Sequence, residues 1–356
     1  MIYGLILAGG KGSRLYPLSR ADQPKQFLKI INDKSFLVNT VERITPLIDK
    51  NNIYVVTNMD YRDKIKEELQ GIKDDKVFVE PANKETATCI GLSAIKLLKQ
   101  DANAVMVVLP SDHYIQGEKN YIDTLSQGIE IANRRRCIVT LGIEPTRPET
   151  GYGYIEMGER SSGNIPTYRV ARFTEKPNLE VAKDFILKGT YLWNSGMFIF
   201  RADVILREIE KYLPKLYKPL MEIYKSLGEE NEEEVIKEQY ELIDGISIDF
   251  GVMQKTRKAY VIKCDFSWDD MGSFGALSRL LGNYSNNNNI SKNVYIDECE
   301  NCSIFGNKNL IIGFGIKDLV VVDAGDVILV MDKNKDQEIK HLLNKLSEEN
   351  EYSKFL

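Results

Sequence analysis

The stretch Leu7-Ala8-Gly9-Gly10-Lys11-Gly12-Ser13-Arg14-Leu15-Tyr16-Pro17-Leu18-Ser19-Arg20, closing with Pro24-Lys25-Gln26-Phe27-Leu28, decides how this 356-residue chain is read. It follows a short apolar run and sets three glycines among Lys11, Arg14 and Lys25. Glycine lets backbone N–H groups come close to an anion, and Arg and Lys add charge-assisted donors to phosphate oxygens. Neither common glycine-rich fingerprint fits. No glycine stands five residues before a Gly-Lys-[Ser/Thr], and Leu15 stands where the dinucleotide pattern needs its third glycine. A plain glycine turn with solvated basic residues would look the same locally, so the rest of the chain has to decide.

Outward from the loop, short apolar runs alternate with helical patterns. Strands are expected at Tyr3–Leu7, Ile53–Thr57, Val77–Glu80, Ala104–Leu109 and Cys137–Ile143, with an amphipathic helix over Ala87–Leu98 among them. Apolar strands separated by helices indicate a parallel sheet covered on both faces, and ligands bind such sheets at the carboxyl ends of the strands. The loop lies there. Further strands are expected at Tyr152–Met157, Tyr168–Glu175, Tyr191–Phe200 and Tyr260–Cys264, with charged helix from Asp203 to about Lys255. Asn286-Asn287-Asn288-Asn289 marks a boundary. Beyond it, apolar runs at Val294–Ile296, Ser303–Phe305, Leu310–Ile312, Leu319–Val322 and Val327–Met331, punctuated by Gly, Asn and Asp, suggest a small β-solenoid or hairpin stack. A helix over Asp336–Leu346 closes the chain. The expected organisation is a domain over 1–285 and a smaller one over 290–356.

With 43% hydrophobic residues the chain can bury a large core. The balance of 47 basic against 52 acidic residues argues against a nucleic-acid surface, so a phosphate ligand must be held locally. Five scattered cysteines fit reduced thiols. The single C-x-x-C, Cys299 to Cys302, has no second pair and no nearby His to make a zinc site. The first apolar run is too short to span a bilayer and has no basic leader, so a soluble cytoplasmic protein without a membrane partner is expected.

Other segments can carry chemistry. Leu109-Pro110-Ser111-Asp112-His113 ends one apolar strand with an acid, and Ser267-Trp268-Asp269-Asp270-Met271-Gly272 follows another. Acids leaving strand ends can converge on a hard cation such as Mg²⁺, which takes one or two carboxylates plus substrate phosphates, although either acid alone reads equally as a cap or turn. His113 reads as a hydrogen-bonding residue rather than a catalyst. Gly151-Tyr152-Gly153-Tyr154, Thr174-Glu175-Lys176-Pro177 and Trp193-Asn194-Ser195-Gly196 set polar groups beside glycine, proline or an aromatic, a mixture that suits a sugar.

Taken in order, these motifs resemble the sugar-1-phosphate nucleotidyltransferases over residues 1 to about 280, whose signature is G-G-x-G-T-R-L-x-P-L followed by P-K. Arg14-Leu15-Tyr16-Pro17-Leu18-Ser19-Arg20 with Pro24-Lys25-Gln26-Phe27, Glu80-Pro81, Leu109 to His113, Phe173 to Pro177, Trp193 to Phe198 and Trp268-x-Asp270-x-Gly272-Ser273 are most similar to the mannose-1-phosphate guanylyltransferase group. The resemblance implies a Rossmann-like α/β fold, a mainly parallel mixed sheet with helices on both faces, and a small C-terminal left-handed β-helix-like domain. It implies GTP and mannose 1-phosphate as substrates, Mg²⁺ as cofactor, metal ligands Asp112 and Asp270, and Arg14 and Lys25 as further catalytic residues. Leu7, Ala8, Gly9, Gly10, Gly12, Ser13, Arg14, Lys25, Glu80, Thr86, Ala87, Pro110 and Ser111 would bind the nucleotide. Gly153, Glu175, Lys176, Asn194 and Gly196 would bind the sugar phosphate. A homodimer is expected, because β-solenoid tails often pair subunits.

The chain departs from the group's Arg-Asn-Thr-Ala-Pro at Lys84-Glu85-Thr86-Ala87-Thr88, beside the residues assigned to the base, and has Ser13 and Tyr16 in place of Thr and Trp. Two alternatives stand beside this reading. One is a related enzyme making a GDP-heptose or an ADP-, UDP- or dTDP-hexose. The other is a regulatory relative without chemistry, which should lack Arg14, Lys25, Asp112 or Asp270; all four are present. No long additional domain follows that would bring a phosphomannose isomerase activity, so a single activity is expected.

Overall fold

A computed structural model describes the chain except Lys11, Ser162, Asn164 and Asn283, and the side chain of Gln337. The phosphate-binding role considered for Lys11 therefore lies outside the described residues. The chain divides into two compact units. One comprises 1–9, 40–111 and 115–268; the other comprises 10–39, 112–114 and 269–356.

The first unit is built on a nine-stranded sheet. In chain order the strands are β1 (Ile2–Leu7), β2 (Ile53–Asn58), β3 (Val77–Glu80), β4 (Val105–Pro110), the short β5 (Tyr114–Gln116, outside the sheet), β6 (Ile138–Ile143), β7 (Tyr154–Ser161), β8 (Thr167–Thr174), β9 (Tyr191–Arg201) and β10 (Ala259–Lys263). Their spatial order is β3-β2-β1-β4-β9-β6-β10-β8-β7. The pairs among β3, β2, β1 and β4 are parallel. β9 then runs antiparallel between β4 and β6, and β6 pairs parallel with β10.

Strand side chains alternate between faces, and β9 shows where the helices lie. Phe198 and Phe200 join the core that includes Ile90, Leu92 and Ile95 of the helix Glu85–Gln100. The intervening Ile199 meets the helix Glu118–Arg135, where a Cβ on Gly128 would lie 2.4 Å from Ile199 Cδ1. Helices thus cover both faces, which is why β4 and β6 are buried along nearly their whole length. The stretch expected to be helical from Asp203 holds three helices, Ala202–Tyr212, Pro214–Ser226 and Glu232–Glu241, then a π turn at Asp249–Met253.

After β11 (Ser267–Asp269) the second unit carries a β-solenoid: β12 (Asn289–Ile290), β13 (Val294–Asp297), β14 (Ser303–Phe305), β15 (Ile311–Phe314), β16 (Leu319–Asp323) and β17 (Ile328–Asp332). β12, β14 and β16 stack in parallel, β13 pairs parallel with β15, and β17 caps β16 antiparallel. From β12 to β16 successive runs go alternately to the two sheets, so runs spaced by about eight residues build coils of twice that length. The solenoid shares its core with the loop read first. Leu15, Tyr16, Leu28 and Phe36 cluster with Phe274, Leu277, Phe305, Val320, Val322, Leu329 and Ile339. The fork of Arg20 grips Asp326, with Nη1 2.7 Å from Oδ2.

Phe274 is fully buried in that cluster. Phe274→Ala is expected to destabilise the second unit by about 3–5 kcal/mol, read as a lower urea midpoint; an unchanged midpoint would contradict this core.

Candidate active site

Lys25 organises a first cluster, in the second unit. It begins the short 3₁₀ turn Lys25–Phe27 and is almost wholly buried. Its Nζ donates to Asp112 Oδ2 at 2.7 Å and to the backbone carbonyl of Asp270. One ammonium therefore joins the Asp112 carboxylate to the backbone of Asp270, the two residues expected to hold a metal. Burial opposes ionisation of Asp112, but the charges of Lys25 and His113 and the Lys25 hydrogen bond outweigh it, and its pKa falls below the ordinary carboxylate value. Burial pushes the pKa of the neighbouring His113 down, against the charge of Asp112.

The loop is shaped by the same lysine. Gly12 is left-handed, with φ 63°, and a Cβ there would lie 2.3 Å from Lys25 Cβ, so no other residue fits. Ser19 Oγ donates to Gly12 O at 2.6 Å and closes the loop. Ser13 and Arg14 sit on the turn Ser13–Leu15, with Arg14 exposed. A Cβ on Gly9 or Gly10 would meet nothing within 4 Å; their backbone is open to a ligand.

Among the described residues no group of three or more His, Cys, Asp or Glu could cage a metal. Mg²⁺ needs no such cage, since waters and substrate phosphates complete its shell. Asp112, whose side chain is 30% exposed, and Asp270 fit that role.

In the first unit the carboxyl ends of β1, β2 and β4 are laced together. Ser111 N–H donates to Leu7 O (3.1 Å), Ala8 N–H to Val56 O (2.8 Å), Thr57 Oγ1 to Ala8 O (3.1 Å) and Thr40 Oγ1 to Ser111 O (3.3 Å). Beside them Glu80 is buried at the end of β3 and accepts from Tyr240 Oη at 3.0 Å. Burial raises its pKa to about 7 against the opposing hydrogen bonds. Glu85 opens its helix in a left-handed conformation, φ 66°. Thr86 Oγ1 accepts from Ile248 N–H at 2.9 Å, and Ala87 N–H donates to Ile246 O at 3.1 Å.

A third cluster, also in the first unit, gathers the residues read as sugar-binding. Asn194 N–H donates to Gly153 O (2.8 Å), Gly196 N–H to Asn194 Oδ1 (3.3 Å) and Asn194 Nδ2 to Asp249 Oδ1 (2.9 Å). A Cβ on Gly153 would lie 2.4 Å from Glu175 Oε2 and one on Gly196 would lie 3.7 Å from Pro110 Cγ. Lys176 Nζ is 3.2 Å from Glu175 Oε1. Glu175 Oε2 and Thr174 Oγ1 are buried with no hydrogen-bond partner among the described residues, an unusual state that a ligand hydroxyl would relieve.

Comparison with known proteins shows the family. The family model described as nucleotidyl transferase matches residues 3–287, and that described as MannoseP isomerase/GMP-like beta-helix domain matches 291–346. The chain belongs to the nucleotidyl transferase family. It is 37% identical over 359 residues to a mannose-1-phosphate guanylyltransferase of Salmonella montevideo, covering 99% of this chain and 75% of that one. It is 34% identical over 352 residues to one of Escherichia coli K12, covering 97% and 73%. The chain thus spans about three quarters of the length of these relatives. A solved structure described as mannose-1-phosphate geranyltransferase from Thermus thermophilus superposes with a TM-score of 0.87 at 32% identity, covering 97% of this chain and 99% of that one. No helix among the described residues is long and apolar enough to cross a membrane.

Sequence reasoning missed Tyr240, Thr140 and Asp249, which hold the expected residues from behind. Their partners lie 160, 54 and 55 positions away, and no local pattern marks such pairs. Lys25, expected on the nucleotide phosphates, here joins the Asp112 carboxylate to the Asp270 carbonyl.

Asp112→Asn, Asp270→Asn and Lys25→Ala are each expected to lower turnover by about tenfold or more, some 1.4 kcal/mol of barrier. Near-normal turnover in a well-folded Asp270→Asn protein would remove Asp270 from the metal set. Glu80, with its folded pKa about 7, keeps its proton to higher pH than in the unfolded chain. Stability from this group is therefore complete below about 4.5, falls as pH rises to about 7 and is level above. Relative to the unsubstituted protein, Glu80→Gln should gain roughly 2–3 kcal/mol between pH 5 and pH 8 in urea titrations; a difference independent of pH would contradict the buried carboxyl.

Proposed function

We propose that the protein transfers a guanylyl group from GTP to α-D-mannose 1-phosphate, giving GDP-mannose and pyrophosphate. The observation that carries this reading is the buried Lys25 ammonium, which holds the Asp112 carboxylate and the backbone carbonyl of Asp270 together, on a side chain that packs against Gly12 of the glycine loop. The likeness to guanylyltransferases over nearly the whole chain supports the substrates.

A sugar 1-phosphate is largely dianionic near neutral pH, because phosphate monoesters have a second pKa of about 6. Its oxygen needs no general base to attack the α-phosphorus, and the α–β phosphoanhydride bond breaks as pyrophosphate leaves. The difficulty is anion meeting anion. Mg²⁺, when bound by Asp112 and Asp270, would supply charge against that repulsion and polarise the phosphates. Lys25 keeps the two acids in place, and Arg14, exposed on its turn, is available to grip phosphate oxygens. Gly9, Gly10, Gly12 and Ser13 offer backbone N–H groups, while Leu7, Ala8, Pro110 and Ser111 border the nucleotide and Glu80, Thr86 and Ala87 the base. Gly153, Glu175, Lys176, Asn194 and Gly196 bind the sugar phosphate. Positioning and electrostatics provide the rate. The 1–285 segment carries this chemistry, and the 290–356 segment pairs two copies as a homodimer. The five cysteines, all buried free thiols, fit a reducing compartment such as the cytoplasm.

Pyrophosphate release is to be measured across five NTPs and several hexose 1-phosphates, with Mg²⁺ and with EDTA. GTP with mannose 1-phosphate should give the highest kcat/KM, and EDTA should abolish release. Preference for UTP or dTTP with glucose 1-phosphate would overturn the substrate assignment.

A further inference from the structure

β9 is irregular where it carries Asn194 and Gly196. Its pairing with β6 shifts register between Thr140 and Gly142, and Gly196 is left-handed with φ 70°. Such bulges re-aim side chains beside binding sites. This one is held from several sides. Ser195 Oγ donates to Leu141 O at 2.7 Å, and Thr140 Oγ1 donates to Asn194 Oδ1 at 3.2 Å and to Met197 O at 3.1 Å. Gly196 N–H also donates to Asn194 Oδ1. Because the Gly196 N–H can only donate, the Asn194 amide keeps its oxygen on that side, with Thr140 Oγ1 beside it.

Asp249 enforces that choice. Its Oδ1 accepts from Asn194 Nδ2 at 2.9 Å, so the nitrogen of that amide is held on the Asp249 side. Asp249 opens the π turn Asp249–Met253, a local form often seen at functional sites. The segment leading into it is pinned through Ile246 and Ile248 to Ala87 and Thr86, the residues assigned to the base. A carboxyl is costly in this place. Burial and the charge of Glu175 push its pKa up to about 7, against the hydrogen bond from Asn194 and the charge of Lys176. Polar groups retained at such cost concentrate at working sites.

We propose that Asp249 is a positioning residue for the sugar 1-phosphate, holding the Asn194 amide in one orientation and so fixing the Asn194–Gly196 bulge on which the sugar phosphate binds. The proposal rests on the assignment of Asn194 and Gly196 to that substrate, and no bond-making step passes through Asp249.

The test compares Asp249→Asn, Thr140→Val, Asn194→Ala and the Asn194→Ala/Asp249→Asn double variant. Each is assayed with the NTP and sugar 1-phosphate that the unsubstituted enzyme turns over best, so an error in substrate identity shows in that enzyme alone. Asp249→Asn should raise KM for the sugar 1-phosphate about fivefold or more, with KM for the NTP within about twofold. Thr140→Val should shift the same constant in the same direction, and the double variant should be no worse than Asn194→Ala. An unchanged sugar KM, an equal rise in both KM values, or losses that multiply in the double variant would each overturn the proposal. Should Asp249→Asn fail to fold, an unchanged sugar KM in Thr140→Val would overturn it.

Discussion

A buried ammonium cannot stand alone. Removing Lys25 from water is costly unless charged and hydrogen-bonding partners replace the solvent, and Asp112 and the Asp270 carbonyl are those partners. Three segments distant in sequence must therefore meet: the turn after the glycine loop, the second residue past the end of β4, and the stretch after β11. Because the lysine stem also crowds Gly12, the same side chain sets the conformation of the loop. One residue thus touches both Asp112 and Asp270 through its ammonium and the glycine turn through its Cβ.

The solenoid belongs to this arrangement rather than trailing from it. Leu15, Tyr16 and Leu28, on either side of the loop's basic residues, are buried with Phe305, Val320, Val322 and Leu329. A glycine-rich loop has little packing of its own to hold it. Here its apolar residues supply that packing, and the solenoid supplies the surface they pack on.

Three acids show how environment divides one residue chemistry. Asp112 is pushed down, because Lys25 and His113 outweigh burial. Glu80 and Asp249 are pushed up to about 7, because burial outweighs their neutral hydrogen-bond donors. The first is suited to a cation. The other two hold neighbouring side chains, Tyr240 and Asn194, in place. No His–carboxylate pair poised as a general base is needed where the nucleophile is already an anion.

Strands β1 to β4, the helix Glu85–Gln100 and the solenoid runs were legible from hydrophobic periodicity, because each buries a regular face. The motif residues stood out because glycine, lysine and acid recur there at short, fixed spacing. Other features were not. The antiparallel insertion of β9 between β4 and β6, the sharing of one core by loop and solenoid, and the commitment of Lys25 to two acids all depend on pairings across long separations. The same holds for Tyr240 behind Glu80 and Asp249 behind Asn194. The sequence by itself determined the local elements and the kinds of side chain at the site, since both follow from short-range spacing. Only the tertiary structure decided which buried polar group answers which, because that is settled by where burial leaves a donor or acceptor in need of a partner.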